Sequence, residues 1–489
     1  MKGIWINSSE VVPSGSATIE VINPATEEVL EQVPRAGIEE VERAVKAANQ
    51  AFVGWRQMPA TERAVLLHEV AAKARTHRDE LARLLTMEEG KPIPENEEEL
   101  VWTSNTFDYY AELGRHERGR VLPPGDPDQF NFTLKVPYGV VGCIVPWNYP
   151  LLLMAWKVAP ALAAGNTVVI KPSEFTPLAT LRLAELAFAH LPPGVVNVVT
   201  GYGWEAGEAL VRHPEVPAIA FTGSLATGRH IAELAAPMMK KLHLELGGKD
   251  PMVIGPDVDL DTAVRALAYA GLLNAGQVCT STERVYVAQD RYPAFSEALA
   301  EFVGGLRLGN GLESTTDIGP MLRPHFRERV EAHVQQAIGA GARLMVGGER
   351  PKEFERGFFY RPTVLADVNH SMAVMREETF GPVLPLMPYG DFDQAVALAN
   401  DSQYGLGASL MSNDPRLVKR FFEEVDAGTI WINDPLTDNY AGPFGGMKMS
   451  GIGRELGQEG LDEFYEVKHV HWDMLASVKD YWYPYGVGE

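Results

Sequence analysis

The sequence predicts an α/β protein built from two doubly wound α/β domains and a small β hairpin. Two observations predict the domains. Short β-branched segments alternate with helical segments between residues 139 and 248, and a second series of the same kind follows residue 280. A strand, a helix and a second strand in succession give a right-handed crossover in a mostly parallel sheet. With 489 residues, of which 46% are hydrophobic, the chain can bury cores for more than one domain.

The first third of the chain is predicted to be mainly helical. Apolar residues recur at helical spacing between Val41 and Trp55, and again between Leu67 and Ala74. A further helix is expected to end at Gly90, because glycine commonly follows the last turn of a helix.

Two series of strands follow the helical region. The first series is predicted at residues 140–145, 167–170, 195–199, 218–221 and 242–246. The second is predicted at residues 284–287, 343–346, 383–387, 408–411 and 429–432. The segments between the strands have the length and the amphipathic pattern of helices, which favours two mostly parallel sheets.

Residues 118–137 are predicted to leave the first domain as a hairpin, because a Pro/Gly-rich turn precedes the extended segment 129–136. Residues 465–472 alternate like an edge strand. Exposed strand edges tend to pair with other chains. We therefore expect both segments to pair with another subunit of a homodimer or homotetramer.

Composition excludes several classes of function. The net charge of −22 opposes binding to nucleic acid and to anionic membrane surfaces. The apolar region 139–170 is interrupted by prolines, asparagines and a lysine, so we expect buried elements and no membrane span. Only two cysteines are present and no signal peptide is evident, so we expect the cytoplasm. His469 and His471 lack a third ligand nearby, so we expect no metal site.

Cys279 is the first candidate catalytic residue. It lies between a small Ala-Gly turn and the start of a predicted strand. A thiol at the end of an element, near backbone N–H groups, can be held as a thiolate and presented to a substrate. Alternatively, a buried cysteine packs as a small apolar residue.

Glu245 and Asn148 follow two of the predicted strands. Glu245 precedes two glycines at the carboxyl end of its strand, where α/β proteins form ligand crevices, and could act as a general base. Its alternative role is a structural ion pair with Lys249 or Lys241. Asn148 could donate a hydrogen bond to a developing oxyanion, or could serve only as a turn residue between two prolines.

Glycine-rich turns suggest a dinucleotide site. Phe221-Thr-Gly-Ser224 follows a strand and opens a helix, so its backbone N–H groups could face a pyrophosphate. Glu174 follows another strand, where a carboxylate could bind ribose hydroxyls and repel a 2′-phosphate. The cluster Gly201 to Gly207 lacks the usual spacing. For each cluster, the alternative is that strand-to-helix turns require glycine anyway.

The ordered set of motifs resembles the NAD(P)-dependent aldehyde dehydrogenase superfamily over nearly the whole chain. The motifs, in chain order, are Trp147-Asn148, Lys171-Pro-Ser-Glu174, Phe221-Thr-Gly-Ser224, Glu245-Leu-Gly-Gly-Lys249, Gly276-Gln-Val-Cys279, Glu377-Glu378-Thr-Phe380-Gly-Pro382 and Pro443-Phe444-Gly-Gly-Met-Lys-Met-Ser-Gly451. Each motif alone is weakly specific, whereas the ordered set is highly specific.

The resemblance implies oxidation of an aldehyde to a carboxylic acid with NAD, and more weakly with NADP. Cys279 would form a thiohemiacetal and then a thioester, Asn148 would stabilise the oxyanion, and Glu245 would activate the hydrolytic water. Residues implied in cofactor binding are Val145, Trp147, Lys171, Ser173, Glu174, Gly203, Gly207, Phe221, Gly223, Ser224, Leu246, Glu378 and Phe380. Of these, Glu174 would bind the adenosine ribose, Ser224 would face the pyrophosphate, and Glu378 would position the nicotinamide ribose.

The aldehyde itself is less well determined. Residues implied in substrate binding are Trp102, Tyr149, Trp156, Val278, Thr280, Asp438 and Phe444. Some stretches are similar to lactaldehyde and glycolaldehyde dehydrogenases, yet Asp438 replaces an aromatic residue that many members carry. A carboxylate beside Trp102 would favour a cationic substrate such as an aminoaldehyde or betaine aldehyde. Alternatively, Asp438 points to solvent.

The resemblance also implies domain limits. Residues 1–117 and 138–247 would form a discontinuous NAD-binding domain, and residues 248–460 a catalytic domain. Residues 118–137 and 461–489 would form the oligomerisation strands and a C-terminal tail. Two other functions remain as alternatives: a CoA-acylating enzyme, which usually lacks the glutamate at position 245, and a catalytically silent member with a structural or binding role.

Overall fold

The computed structural model describes residues 1–15, 17–116 and 119–485. The first elements are four short strands and four helices, and the helices lie in the region predicted to be helical. They are β1 (Ile4–Ile6), β2 (Ser9–Val11), β3 (Thr18–Ile22), β4 (Val29–Pro34), α1 (Ile38–Trp55), α2 (Ala60–Thr76), α3 (Arg78–Glu89) and α4 (Ile93–Arg115). Gly90 follows α3 with φ of 98°, as expected for a helix terminus.

The middle of the chain contains the first predicted series of strands. Its elements are β5 (Val121–Leu122), β6 (Gln129–Pro137), β7 (Val140–Ile144), α5 (Pro150–Ala163), β8 (Thr167–Lys171), α6 (Leu178–Leu183), β9 (Val196–Val198), α7 (Glu208–Arg212), β10 (Ala218–Thr222), α8 (Leu225–Ala235) and β11 (Lys241–Glu245). Short helical turns at Ala184–Phe188, Gly203–Gly207 and Ala236–Met238 extend or precede these helices.

The second series follows without a linker. Its elements are β12 (Asp250–Ile254), α9 (Leu260–Leu272), β13 (Thr282–Ala288), α10 (Tyr292–Gly304), α11 (Pro324–Gly339), β14 (Arg343–Val346), β15 (Thr363–Ala366), α12 (Ala373–Arg376), β16 (Val383–Tyr389), α13 (Phe392–Asn400), β17 (Tyr404–Gly405), β18 (Gly407–Met411), α14 (Pro415–Glu424), β19 (Thr429–Ile432), β20 (Met447–Lys448), β21 (Gly451–Ile452), α15 (Gly457–Asp462) and β22 (Tyr465–Asp473).

The first large sheet has the order β2-β1-β9-β8-β7-β10-β11-β21. Its five central strands, β9 to β11 in that order, are parallel. The chain winds outward from β7 in one direction and then resumes at β10 on the other side. Ligands of such sheets bind outside the carboxyl ends of the strands at this reversal. The short strand β21 returns from residue 451 to pair with β11.

The second large sheet has the order β14-β15-β16-β13-β12-β18-β19, and all its pairs are parallel except β14 with β15. The prediction of two doubly wound domains is confirmed. The chain passes from Glu245 at the end of β11 to Asp250 at the start of β12. The carboxyl edge of the first sheet is therefore joined by four residues to the amino edge of the second sheet.

A three-stranded antiparallel sheet has the order β22-β6-β5. Strand β22 pairs with β6 over nine residues, from Tyr465 opposite Pro137 to Asp473 opposite Gln129. The two segments pair with each other, and β6 has a neighbour on both edges. Pairing with another subunit therefore stays a prediction for the outer edges of β22 and β5. Arg118, the expected first residue of the hairpin, lies outside the described residues.

The hydrophobic cores follow the sheets. Two clusters cover the faces of the first sheet, and a third fills the second sheet. Leu461 and Phe464, which the sequence analysis grouped with the oligomerisation strands, are buried in a core of the first sheet. Within the described part of the chain, no helix combines the length and apolar character that crossing a bilayer requires.

Candidate active site

Two cavities meet at Cys279, whose side chain lines both. The larger, which we term the aromatic cavity, has a volume of about 310 Å³ and lies beside α4, α5 and the loop after β19. The smaller, which we term the sheet-edge cavity, has a volume of about 130 Å³ and lies at the carboxyl edge of the first sheet. A group at Cys279 can therefore contact molecules held in either cavity.

The loop before Cys279 has an unusual backbone. Asn274, Ala275 and Gly276 have φ of 50°, 54° and 72°, so three successive residues are left-handed. A Cβ on Gly276 would lie 2.2 Å from the carbonyl oxygen of Gly381, so only glycine fits there. This strained turn ends α9 and carries Cys279 to the junction of the cavities, where it is partly buried. The expected position between a small turn and a strand is confirmed.

Burial raises the pKa of the Cys279 thiol well above its usual value, and the carboxyl groups of Glu245, Asp250 and Glu378 raise it further. Both effects favour the thiol over the thiolate. The hypothesis that this position presents a thiolate to the substrate stays a prediction. The thiol needs a proton acceptor before it can react.

Glu245 ends β11 and lines the sheet-edge cavity. Burial and the nearby charge of Glu455 raise the pKa of its carboxyl to about 8, and Lys157, the Cys279 thiol and Thr222 offset this rise only in part. The alternative ion pairs are absent from the described residues, since Lys249 pairs with Glu283 at 2.5 Å and Lys241 with Glu466 at 3.8 Å. A carboxyl with this pKa, beside a thiol, can accept and return a proton near neutral pH.

A buried ion pair behind Glu245 was missed by the sequence analysis. Lys157 Nζ lies 2.5 Å from Glu455 Oε1 and 2.5 Å from Thr222 Oγ1, and both charged side chains are fully buried. The signal was present in the sequence: Lys157 is the only charged residue of the otherwise apolar helix α5. A buried lysine needs a carboxylate partner, but the sequence does not reveal that the partner is 298 residues away.

Asn148 is buried, lines the sheet-edge cavity and directs its amide to the Cys279 loop. Its Nδ2 donates a hydrogen bond to the carbonyl oxygen of Gln277 at 3.0 Å. One N–H of the amide is thereby fixed, and the second can donate to an oxygen that forms beside Cys279.

The aromatic cavity contains every residue that the sequence analysis assigned to substrate binding. Asp438 lines this cavity and so does not simply point to solvent; burial raises the pKa of its carboxyl to about 7. The seven predicted residues on the lining are Trp102, Tyr149, Trp156, Val278, Thr280, Asp438 and Phe444.

Three further carboxylates on the aromatic cavity were not identified from the sequence. Glu95, Glu98 and Glu99 all belong to α4 and line the cavity together with Trp102. Burial raises the pKa of Glu95 to about 7. Glu95 is three residues before Glu98 and four before Glu99, and these two residues are four and three residues before Trp102. This spacing indicates one shared face of the helix. From sequence alone, the same pattern is typical of an ordinary solvated helix.

Most residues assigned to cofactor binding lie at or just after the carboxyl ends of the parallel strands β7 to β11, whereas Glu378 and Phe380 lie between α12 and β16. Six of them line the sheet-edge cavity, namely Trp147, Gly223, Ser224, Leu246, Glu378 and Phe380. Seven others lie outside its lining, namely Val145, Lys171, Ser173, Glu174, Gly203, Gly207 and Phe221. Neighbouring parallel strands end at the same edge of a sheet. The seven residues outside the lining therefore extend the proposed cofactor site along this edge, beyond the cavity, to the ends of β8 and β9.

The extension contains a charged pair beside a glycine. Lys171 Nζ lies 3.3 Å from Glu174 Oε2, and a Cβ on Gly207 would lie 3.7 Å from Lys171 Cδ. The carboxyl of Glu174 is about one-quarter exposed, so it remains open to a ligand. Ser224 caps α8, accepting a hydrogen bond from the Thr227 N–H. The first N–H groups of a helix have no acceptor within the helix, so this terminus offers donors of the kind that an anion site requires.

Glu378 and Phe380 form the wall opposite the first sheet. The N–H of Gly248 donates to Glu378 Oε1 at 3.2 Å, and burial raises the pKa of this carboxyl to about 7. Phe380 is left-handed with φ of 53°, and its N–H donates to Glu283 at 2.7 Å. Both cysteines of the chain are free, and Cys143 is buried within β7.

Comparison with known proteins agrees with this geometry. The model of the "Aldehyde dehydrogenase family" matches residues 11–470. Succinate-semialdehyde dehydrogenase of Arabidopsis thaliana, a mitochondrial protein, is 41% identical over 470 residues, covering 96% of this chain and 88% of that protein. Betaine aldehyde dehydrogenase 1 of Oryza sativa is 40% identical over 478 residues, covering 96% of this chain and 95% of that protein.

A solved structure is similar over the same extent. The crystal structure of betaine aldehyde dehydrogenase from Staphylococcus aureus, in complex with NAD+, superposes with a TM-score of 0.96. Its sequence is 38% identical, and the match covers 98% of this chain and 96% of that one. The similarity therefore extends to both large sheets and to the three-stranded sheet.

Proposed function

This chain belongs to the aldehyde dehydrogenase family, and we propose that the aldehydes it oxidises carry a positive charge. The general activity is NAD-dependent oxidation of an aldehyde to a carboxylic acid. The CoA-acylating and catalytically silent alternatives are not favoured. The charge of the substrate is the finer proposal, and it depends on the carboxylates that line the aromatic cavity.

The residues at the sheet edge fit NAD. Glu174 offers a carboxylate to the adenosine ribose hydroxyls, and the terminus of α8 at Ser224 faces the position for a pyrophosphate. A Cβ on Gly247 would lie 2.5 Å from Glu378 Oε1, so the missing side chain leaves room beside that carboxyl for a ribose. NAD, when bound, accepts the hydride that leaves the substrate carbon. NADP would bind more weakly because Glu174 repels a 2′-phosphate.

Cys279 is the proposed nucleophile. Its thiol gives up a proton to Glu245, and the Sγ atom forms a bond to the aldehyde carbon, giving a thiohemiacetal. The Asn148 amide and the Cys279 backbone N–H stabilise the resulting oxyanion. Loss of hydride from this adduct leaves a thioester on Cys279.

Glu245 is the proposed general base for hydrolysis. After releasing the first proton to solvent, Glu245 removes a proton from a water that attacks the thioester carbon. The C–S bond then breaks, the carboxylic acid leaves, and Glu245 returns its proton to the Cys279 thiolate. Burial within the sheet-edge cavity, with Glu455 behind it, raises the pKa of this carboxyl enough for it to exchange protons near neutral pH.

The charge of the aromatic cavity supports a cationic substrate. Four carboxylates line the cavity, of which Glu99 is paired with Lys91 at 2.6 Å, so Glu95, Glu98 and Asp438 supply the negative charge for a substrate. None of the described residues on its lining is a lysine or an arginine. A bound cation would favour the ionised forms of Glu95 and Asp438, whose pKa values are about 7. The faces of the indole rings of Trp102 and Trp156 add cation–π attraction.

An anionic semialdehyde is the competing substrate class, because one of the relatives is a succinate-semialdehyde dehydrogenase. Its distal carboxylate would meet Glu95, Glu98 and Asp438 without a lysine or arginine on the lining to bind it. Burying a charge without a partner opposes binding strongly. The same family membership is therefore compatible with opposite substrate charges, and the lining favours the cation.

Two substrates of the same shape test this proposal. Betaine aldehyde and 3,3-dimethylbutanal differ by replacement of the quaternary nitrogen with carbon, so only the charge changes. We expect kcat/KM for NADH formation to be at least about tenfold higher with betaine aldehyde, since about 1.4 kcal/mol of charge and cation–π attraction gives that factor. Asp438→Asn should reduce the ratio and leave the rate with the neutral aldehyde unchanged.

The opposite result is equally clear. A wild-type enzyme that uses the neutral isostere as well as the cation, or that prefers succinate semialdehyde, would overturn the cationic assignment. Adding CoA should not change the rate or the acid product. A rate that depends on CoA would overturn the hydrolytic mechanism.

We also propose a homodimer or homotetramer in the cytoplasm. Strand β22 has a free outer edge in the three-stranded sheet, and Val467 and Trp472 on it are exposed. Such edges are usually covered. The reactive thiol of Cys279 favours a reducing compartment. We propose the domain limits given above with one change, which moves residues 451–465 to the NAD-binding unit. The support for this change is that β21 pairs with the first sheet and that Leu461 and Phe464 pack in its core.

A further inference from the structure

The backbone carbonyl of Asn148 accepts hydrogen bonds from two buried side chains. Lys91 Nζ donates to it at 3.2 Å, and Asn274 Nδ2 donates to it at 3.2 Å. All three residues are almost fully buried. These donors come from distant parts of the chain, one after α3 and one in the loop before Cys279, so they fix Asn148 relative to both.

Asn274 also contacts the carbonyl oxygen of Gln277, which is the hydrogen-bond acceptor of the Asn148 amide. Its Nδ2 lies 3.3 Å from the carbonyl oxygen of Gln277, which accepts the Asn148 amide at 3.0 Å. The same Nδ2 donates to Glu89 Oε1 at 2.9 Å. One side chain thus contacts the backbone of Asn148 and the carbonyl that receives its side chain.

Lys91 connects this arrangement to helix α5. Its ammonium lies 2.6 Å from Glu99 Oε2, and Glu99 Oε1 accepts the N–H groups of Leu151 and Leu152 at 2.9 and 3.1 Å. Those N–H groups belong to the first turn of α5, directly after Asn148. Because unpaired buried charge is costly, the network resists displacement of Asn148 toward either side.

We propose that Asn274 is a positioning residue that holds the Asn148 amide against the Cys279 loop. The inference rests on the proposed function, in which that amide stabilises the oxyanion. Asn274 does not line either cavity, so it acts through Asn148 and not on the substrate. Displacing a catalytic group by about 1 Å can reduce a rate about 100-fold.

The variant Asn274→Gly tests the role with little backbone strain. Asn274 has φ of 50°, a region that glycine adopts readily, so the substitution removes the amide and keeps the turn accessible. We expect the pre-steady-state burst of NADH to slow about 100-fold, with KM for the aldehyde changed less than about threefold. Ala275→Gly is the matched control, because it introduces glycine at φ of 54° and removes no donor; its burst should stay within about threefold of wild type.

A double-mutant cycle distinguishes positioning from general loosening. Asn148→Ala should slow the burst about 100- to 1,000-fold by removing the oxyanion donor. In that background, Asn274→Gly should have less than about threefold further effect, because the group it positions is gone. The alkylation rate of Cys279 by iodoacetamide should remain within about threefold of wild type in Asn274→Gly.

Three results would overturn the inference while leaving the proposed function intact: an unchanged burst in Asn274→Gly, multiplicative losses in the double variant, or an alkylation rate that falls as far as the burst. In each case wild type still oxidises aldehydes. A wild-type protein that forms no NADH with any aldehyde would overturn the function itself, and with it the inference that depends on that function.

Discussion

Thr222 and Glu245 are register partners on the parallel strands β10 and β11. Lys157, which is paired with Glu455, contacts Thr222. The hydroxyl of Thr222 accepts a hydrogen bond from the Lys157 ammonium, while the charge of Glu455 raises the pKa of Glu245. The proposed base is therefore positioned by its strand and has its proton affinity set by burial and by a separate ion pair.

Glu245→Gln should separate the two half-reactions. General-base catalysis contributes about 10²–10⁴-fold, so steady-state turnover should fall by about that factor. Under single-turnover conditions the variant should still release up to one NADH per active site and accumulate a thioester on Cys279, visible by mass spectrometry. Hydroxylamine, which attacks thioesters without a base, should restore turnover.

Cys279→Ala is the control for that experiment, since it should abolish the adduct and NADH formation together. If Glu245→Gln gives neither a burst nor a thioester, the assignment of Glu245 mainly to hydrolysis is wrong, and its role in accepting the Cys279 proton is the essential one.

The rate of thioester hydrolysis should rise with pH through about 8. Glu245 acts as a base only when ionised, and its pKa is about 8, so the rate should fall about tenfold per pH unit below that value and become constant above it. Glu455→Gln should move the midpoint to lower pH, because it removes a negative charge and leaves Lys157 unpaired nearby. Glu466→Gln, on the exposed strand β22, should leave the profile unchanged. A midpoint that moves upward in Glu455→Gln would contradict this.

Cofactor preference should depend on Glu174. The wild-type enzyme should have a higher kcat/KM with NAD than with NADP, because the carboxylate repels a 2′-phosphate. Glu174→Gln should lower the ratio of kcat/KM with NAD to kcat/KM with NADP, since the substitution keeps hydrogen-bonding groups and removes the charge. Glu205→Gln removes a charge at the same edge of the sheet and should not change the ratio. Equal efficiency with both cofactors in wild type would exclude the proposed role.

Assembly should depend on the edge of β22. Val467→Asp introduces a charge on that strand and should shift the protein to a smaller species in light scattering coupled to gel filtration. Val53→Asp is the matched control, because Val53 on α1 is similarly exposed, at 59% against 62% for Val467. An unchanged mass in Val467→Asp would argue against this edge as the interface. Deleting residues from 461 onward is a poorer test, because Leu461 and Phe464 are core residues.

The sequence predicted the residues whose role follows from local position. Glu245 is the last residue of β11 and Asn148 lies in the loop after β7. Parallel strands end at one edge of the sheet, so the proximity of these two residues followed from the fold class. Phe444 and Asp438 were placed by resemblance alone, because neither lies at a strand end that periodicity could locate.

Long-range pairing could not be predicted in the same way. The partner of Lys157 is Glu455, and the donors to Asn148 come from positions 91 and 274. Local spacing specifies the face of a helix on which a charge lies, but the partner depends on tertiary packing. The raised pKa of Cys279 could not be predicted for the same reason, because it depends on burial and on the carboxyl groups of Glu245, Asp250 and Glu378.

The carboxylates of the aromatic cavity also bear on what happens after oxidation. The reaction turns an uncharged carbonyl group into an anion at Cys279, so the product acquires a negative charge inside a cavity that Glu95, Glu98 and Asp438 make electronegative. The carboxylates that attract a cationic aldehyde therefore stabilise the bound zwitterionic product less than the bound aldehyde. Departure of the acid is favoured by the same residues that favour entry of the aldehyde, and accumulated acid should inhibit the enzyme only weakly.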